Sequence, residues 1–295
     1  MNPSSHGVSR SWSSALLGVA CLVAATVSLA QTPDADTLLE QAAAAFRKDD
    51  FKGALELINK AIGADPKHLN ARMTLAAYHS RLREYDKAAE AYGTAMTVAP
   101  NPNRVRMKRG EELFRAGKIG ECLEDFDKFN ATEPALAPHN WQRGIALYYA
   151  GRFADGKKQF EIHQTVNKND VENAVWHFLC TTRAENLAEA RHHLIPITGD
   201  ARVPMKEIQM LFAGKAKPED VLAAAKAGDP APDRLGHNLF YAHLYLGIYF
   251  EAIGEKAKAR DYIFKAAERA NENGYMGDVA RVHADILRKS EGKKK

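Results

Sequence analysis

Cysteine is scarce in this chain, with three among 295 residues. One of them, Cys21, falls in an N-terminal leader, which leaves Cys122 and Cys180. Their places in the pattern described below set them beyond the ~7 Å Cα separation that a bridge tolerates. A disulfide framework is therefore not expected, and both are read as free, buried thiols. Charge of one sign is also missing. The 41 Lys and Arg stand against 37 Asp and Glu, a formal net charge of +4, too mild to imply a nucleic-acid partner. After residue 30 no apolar run approaches the roughly 20 residues of a membrane span. No Gly-rich phosphate loop, no nucleophile-elbow Ser motif and no HExxH occurs, so neither enzymatic activity nor a cofactor is expected.

Residues 1–30 read as a secretory signal peptide. Arg10 is the only charged side chain before an uncharged run from Ala15 to Ala30, and Ser28-Leu29-Ala30 supplies the small residues that precede a cut at Gln31. The mature protein is thus expected in the periplasm or cell envelope. Gly18-Val19-Ala20-Cys21 loosely resembles a lipobox, but the apolar run continues past Cys21 and Gly18 stands where a leucine belongs. A lipid anchor at Cys21 and an uncleaved N-terminal anchor stay open as alternatives.

What the chain has in abundance is register. Pro66, Pro100 and Pro134 stand 34 residues apart. Ala54, Ala88, Cys122, Gly156 and Ala190 repeat the same step, as do Phe51, Tyr85, Ile119, Phe153 and Leu187, and Ile58, Tyr92, Phe126, Phe160 and Leu194. The period resembles that of the tetratricopeptide repeat (TPR), a helix hairpin whose apolar face is buried only when neighbours stack. The resemblance implies an all-α superhelical solenoid with a concave binding surface. Repeats are placed at about 35–68, 69–102, 103–136, 137–170 and 171–204. A short pair follows at 205–228, then the break Gly228-Asp229-Pro230-Ala231-Pro232. A last hairpin is placed at 240–273, a capping helix at 275–288 and a basic tail at 289–295, so the solenoid occupies 31–290 with about seven hairpins.

Two segments carry a narrower resemblance. Arg143-Gly144-Ile145-Ala146-Leu147-Tyr148-Tyr149 with Gly151-Arg152, and Phe240-Tyr241 with Leu246-Gly247-Ile248-Tyr249 and Gly254, are similar to segments of the NlpI-type periplasmic TPR lipoproteins. That resemblance implies a non-enzymatic adaptor that brings cell-wall hydrolases to a processing protease. The chain departs from the family in lacking a convincing lipobox, which leaves its particular partners open.

Helix A of each TPR hairpin faces the concave side through positions two, five, nine, twelve and thirteen. In repeat four these positions give Trp141, Ile145, Tyr148 and Tyr149, an apolar stripe additional to the packing stripe Gly144, Leu147 and Gly151. A face without internal duty suggests a partner surface, since Trp and Tyr anchor interfaces well; Tyr241 of the last repeat is grouped with it. The alternative is that the last hairpins fold back and cover the stripe. Arg47, Arg81, Arg115 and Arg183 all occupy position thirteen and predict a basic ladder suited to an acidic or extended peptide. The alternative there is a favourable place near each helix C-terminus. His163, His177 and Cys180 are a possible metal or small-molecule pocket, set against a buried, hydrogen-bonded polar group. No metal is assigned, and a protein or peptide is the expected partner.

Overall fold

The computed structural model describes residues 33–292. The leader with Cys21, and the end of the basic tail, lie outside the described residues. From Asp34 the chain forms one unit of α-helices, with no strand among the described residues. Seven hairpins follow one another: α1 (Ala35–Phe46) with α2 (Phe51–Ala64), α3 (Leu69–Arg81) with α4 (Tyr85–Met96), α5 (Pro102–Arg115) with α6 (Ile119–Thr132), and α7 (Trp141–Tyr149) with α8 (Phe153–His163). Then come α9 (Val171–Ala184) with the short α10 (Leu187–His192), α11 (Met205–Phe212) with α12 (Pro218–Lys226), and α13 (Pro232–Ala252) with α14 (Lys256–Ala267); α15 (Gly274–Gly292) ends the fold. This is the all-α TPR solenoid that the 34-residue period implied.

The local chemistry explains where helices start and turn. Asp34, Asp50, Asn101, Asn140, Asp170 and Asn186 cap the helices that follow them by accepting backbone N–H bonds, satisfying donors that would otherwise face nothing. Asp49, Arg83, Gly117 and Gly151, one per hairpin and 34 apart, close the A-to-B turns at φ of 60, 60, 75 and 75°. Glycine enters this region freely; Asp49 and Arg83 accept it at a backbone cost of about 1 kcal/mol.

Packing within a hairpin depends on one close approach, repeated. A Cβ on Gly110 would lie 2.6 Å from the Phe126 ring, one on Gly144 2.6 Å from Phe160, and one on Gly247 2.7 Å from Ile263. The aromatic or aliphatic residue of helix B thus rests on bare backbone of helix A, which brings the axes together and removes the ring from water.

Three differences from the sequence-based placement have physical causes. Pro134–His139 forms a 3₁₀ turn, so helix A of repeat four starts only at Trp141, behind the Asn140 cap. The last hairpin begins at Pro232 instead of 240, because a proline in the first turn followed by Asp233 is itself a good helix start. Finally, α15 does more than cap the open end. It packs against α14 and also returns to α5, on the concave side.

The buried apolar residues are unevenly shared. A small cluster of Ala35, Leu38, Ala61 and Ala71 serves the first hairpins, and a second contains Ala76, Ala91, Tyr92, Ala95 and Val105. One large cluster, from Ala89 to Ala284, contains Trp176, Phe178, Phe212, Phe240 and Tyr245 and holds the rest together.

Candidate binding surfaces of the concave face

The aromatic stripe of α7 has an internal duty. Ile145 and Tyr148 are buried, and Trp141 and Tyr149 are half-buried. The Tyr148 hydroxyl donates to Glu251 Oε1 of α13 at 2.9 Å, and the Tyr149 hydroxyl stands 3.2 Å from His283 Nδ1 of α15. Trp141 meets the edge of Tyr275 at 5.0 Å between ring centres, and Tyr275 stacks on Phe114 at 5.5 Å. This corrects the expectation of an unpartnered apolar face: α13 and α15 fold back and cover it. Glu251 is the hub. Burial acts to raise its carboxyl pKa, but His283, whose Nε2 is 3.1 Å from Oε2, with Tyr148 and Arg183, outweighs burial and holds it below the ordinary value.

The basic ladder is divided in the same way. Arg115 is committed inward, with Nη1 2.5 Å from Glu112 Oε1 and Nε 2.7 Å from Asp278 Oδ2. Arg183 lies over the Phe153 ring at 4.8 Å and 3.7 Å from Glu251. Arg47 and Arg81 are exposed. Arg81 sits 5.7 Å above the Phe46 ring, and neither has a carboxylate partner among the described residues. Two of the four rungs, Arg47 and Arg81, are therefore left without an ion pair among the described residues, although Arg183 is exposed as well.

His163, His177 and Cys180 do not converge. His163 is paired through Nδ1 with the Pro138 carbonyl at 2.8 Å. His177 reaches toward Glu161, 3.5 Å away, and burial holds its imidazole below the ordinary pKa. Cys180 packs against Gly156, and burial pushes its thiol pKa up. Among the described residues no three His, Cys, Asp or Glu side chains form a metal-ligand set. The pocket weighed at these three residues is thus corrected: they share no common centre, His177 and Cys180 are separate buried contacts, and His163 lines the second cavity described below. Cys122 and Cys180 are both free and buried.

Two concavities deserve description. The first, of 460 Å³, opens where α1 and α3 end, beside the start of α15. Phe46, Phe51 and Tyr85 give it apolar walls, and Arg81, Arg83, Arg115 and Arg281 outnumber Asp49 and Asp278 in it. It continues the face of α1 and α3, where Leu39 and Met73 are half-buried at the concave positions. Arg81, Arg115 and the neighbours of Arg47 could be read from the 34-residue step; the contribution of Asp278 and Arg281, from the other end of the chain, could not.

The second, of 380 Å³, lies on the closed half between α7, α9, α13 and the first turn of α15. Trp141, Trp176, Tyr241 and Tyr275 are among its walls, together with Asp170, Glu172 and Arg202. Tyr241, expected at a partner surface, is thus in a cavity wall, stacked on Tyr245 at 6.3 Å. Glu172 was missed, although it stands at position two of repeat five, a concave position by the same rule that selected Trp141. Burial raises its carboxyl to a pKa of about 7, against the pull of Arg202 and the Tyr245 hydroxyl, which donates to Oε2 at 2.7 Å. Arg202 comes from the irregular connection after α10, where no periodic signal exists.

No family model matches the chain. Among solved structures it is similar to a tetratricopeptide repeat protein from Parabacteroides merdae ATCC 43184, at 17% identity and a TM-score of 0.55, over 85% of this chain and 98% of that one. It is also similar to PilW, described as a widely conserved type IV pilus biogenesis factor (17% identity, TM-score 0.47, 83% and 97% coverage). MamA from Desulfovibrio magneticus RS-1 aligns with 54% of this chain and 90% of its own, at 14% identity and a TM-score of 0.48. The first of these shows a shared TPR fold.

Proposed function

We propose that this protein is a non-enzymatic, exported scaffold that holds an acidic, extended protein segment along the concave face of its first three hairpins. The observation that carries this reading is the division of the groove. The stripe of α7 is occupied by the chain's own C-terminal helices, while Arg47 and Arg81 stand exposed one repeat apart, beside Phe46, and lead into the basic 460 Å³ concavity. Guanidinium groups pair with carboxylates in a planar, two-point manner, and Leu39, Met73 and Phe46 offer apolar contacts between them. Export is proposed from the leader sequence alone, and the resemblance to NlpI-type adaptors suggests envelope hydrolases or proteases as the class of partner.

Fluorescence anisotropy with a labelled peptide alternating Glu and Leu tests the reading. The expected result is saturable binding that weakens with salt and falls at least tenfold in the Arg47→Glu/Arg81→Glu variant. Equal binding by the variant, or equal binding of a Lys-Leu peptide, would overturn it.

A further inference from the structure

The 380 Å³ cavity on the closed half of the groove does not belong to the surface just proposed, and its chemistry is of the opposite sign. Arg202 is the only cation paired with the two carboxylates of its wall among the described residues, Nη2 2.7 Å from Asp170 Oδ1 and Nη1 2.5 Å from Glu172 Oε1, and Nη2 also lies 2.6 Å from Oδ2 of Asp200, which does not line the cavity. The two wall carboxylates against one guanidinium leave a formal charge of −1, and that guanidinium is shared with Asp200. The excess is internal, since the Arg202 side chain is 43% exposed while those of Glu172 and Asp200 are 12% and 4% exposed. An uncompensated negative charge in such surroundings is costly, and the raised pKa of Glu172 expresses that cost: near neutrality a proton partly takes the place of a missing cation.

The remaining walls match that need. Trp141, Trp176, Tyr241 and Tyr275 surround the space with aromatic rings, whose faces attract cations. Asn173, buried in the same wall, spends both of its amide hydrogens on the Phe160 carbonyl (3.3 Å) and Gln164 Oε1 (2.8 Å), which fixes its orientation and leaves Oδ1 as an acceptor with no donor. Trp176 Nε1 and the Tyr275 hydroxyl are also buried without partners. Buried polar atoms are rarely left unpaired, and these three belong to residues that line the same cavity. The volume, near the lower end of the roughly 300–1,000 Å³ of ligand pockets, suits one side chain or a small molecule rather than a folded segment.

We infer that this cavity binds a single organic cation, an alkylammonium or guanidinium group on an apolar stem, with Glu172 and Asp170 facing the charge and the four aromatic rings enclosing the stem. The cation can come from a free amine or from a Lys or Arg residue of a peptide. The unpaired Trp176 donor favours the second source, because a residue carries a carbonyl that a bare amine lacks.

Isothermal titration calorimetry on the mature chain distinguishes these cases with three probes: agmatine, Nα-acetyl-arginine amide, and the uncharged isostere Nα-acetyl-citrulline amide. The arginine and agmatine probes are expected to bind at least tenfold tighter than the citrulline one, with the arginine amide the tighter of the two. Agmatine binding more tightly than the arginine amide would overturn the assignment to a peptide residue. Glu172→Gln is expected to weaken both cations at least tenfold. Tyr241→Leu, which leaves the carboxylates in place, is expected to weaken them severalfold and serves if the first variant does not fold. No binding of either cation, equal binding of the citrulline probe, or unchanged affinity in a folded variant would overturn the proposal.

Discussion

The hydroxyl of Tyr148 donates to the Glu251 carboxylate at 2.9 Å across a sequence separation of 103 residues. The bond joins the fourth hairpin to the last one, over the interior of the curve and not along it. Glu251 also has His283 of α15 3.1 Å away and Arg183 of α9 3.7 Å away. Repeats of a regular solenoid touch only their neighbours; here this cluster, with Trp141–Tyr275 and Tyr245–Glu172, closes the second half of the groove.

Tyr148→Phe removes that donor while keeping the ring and its contacts with Phe153 and Trp176. A hydrogen bond to a charged group contributes about 1.5–3 kcal/mol. Equilibrium urea unfolding should show a loss in that range. A loss below about 0.5 kcal/mol would mean that the tie is not formed in solution.

Glu172 predicts an unusual pH dependence. Its folded pKa of about 7 stands above the ordinary value of 4.5, so between these pH values the native chain binds more protons than the unfolded one. Its contribution is therefore full below about pH 4.5 and is lost as pH rises toward and past 7, by on the order of 3 kcal/mol. Denaturant midpoints measured at pH 5 and pH 8 should fall more for the wild type than for Glu172→Gln. Parallel changes in the two proteins would contradict the assignment.

The uneven core predicts uneven dynamics. The first hairpin has Ala35, Leu38 and Ala61 as its share of a cluster, whereas α7, α9 and α13 share the large aromatic one. Local opening is easiest where little apolar surface is buried. Hydrogen exchange followed by mass spectrometry should show α1 and α2 exchanging well before α7, α9 and α13. Uniform protection would argue against easier opening of the first hairpin.

How much of this was legible in the sequence follows from the range of each interaction. The pairs Gly110–Phe126 and Gly144–Phe160 lie within one hairpin, so their spacing repeats and can be read. Tyr148–Glu251, Arg115–Asp278 and Trp141–Tyr275 join helices that the repeat does not relate. The position rule selected Trp141, Ile145, Tyr148 and Tyr149 for the concave side, but it carries no information on what else enters there. The Arg202 cluster was hidden for a second reason: it depends on residues 193–204, an irregular segment without helical periodicity.

Site-specific photocrosslinking tests the division of the groove most directly. A photoreactive residue is placed at Met73 or at Tyr148 in cells that express the protein, and the adducts are mapped by mass spectrometry. The account predicts intermolecular adducts from Met73, carrying an acidic partner segment and lost in Arg47→Glu/Arg81→Glu, and only internal adducts to α13 or α15 from Tyr148. Intermolecular adducts from Tyr148, with none from Met73, would contradict it.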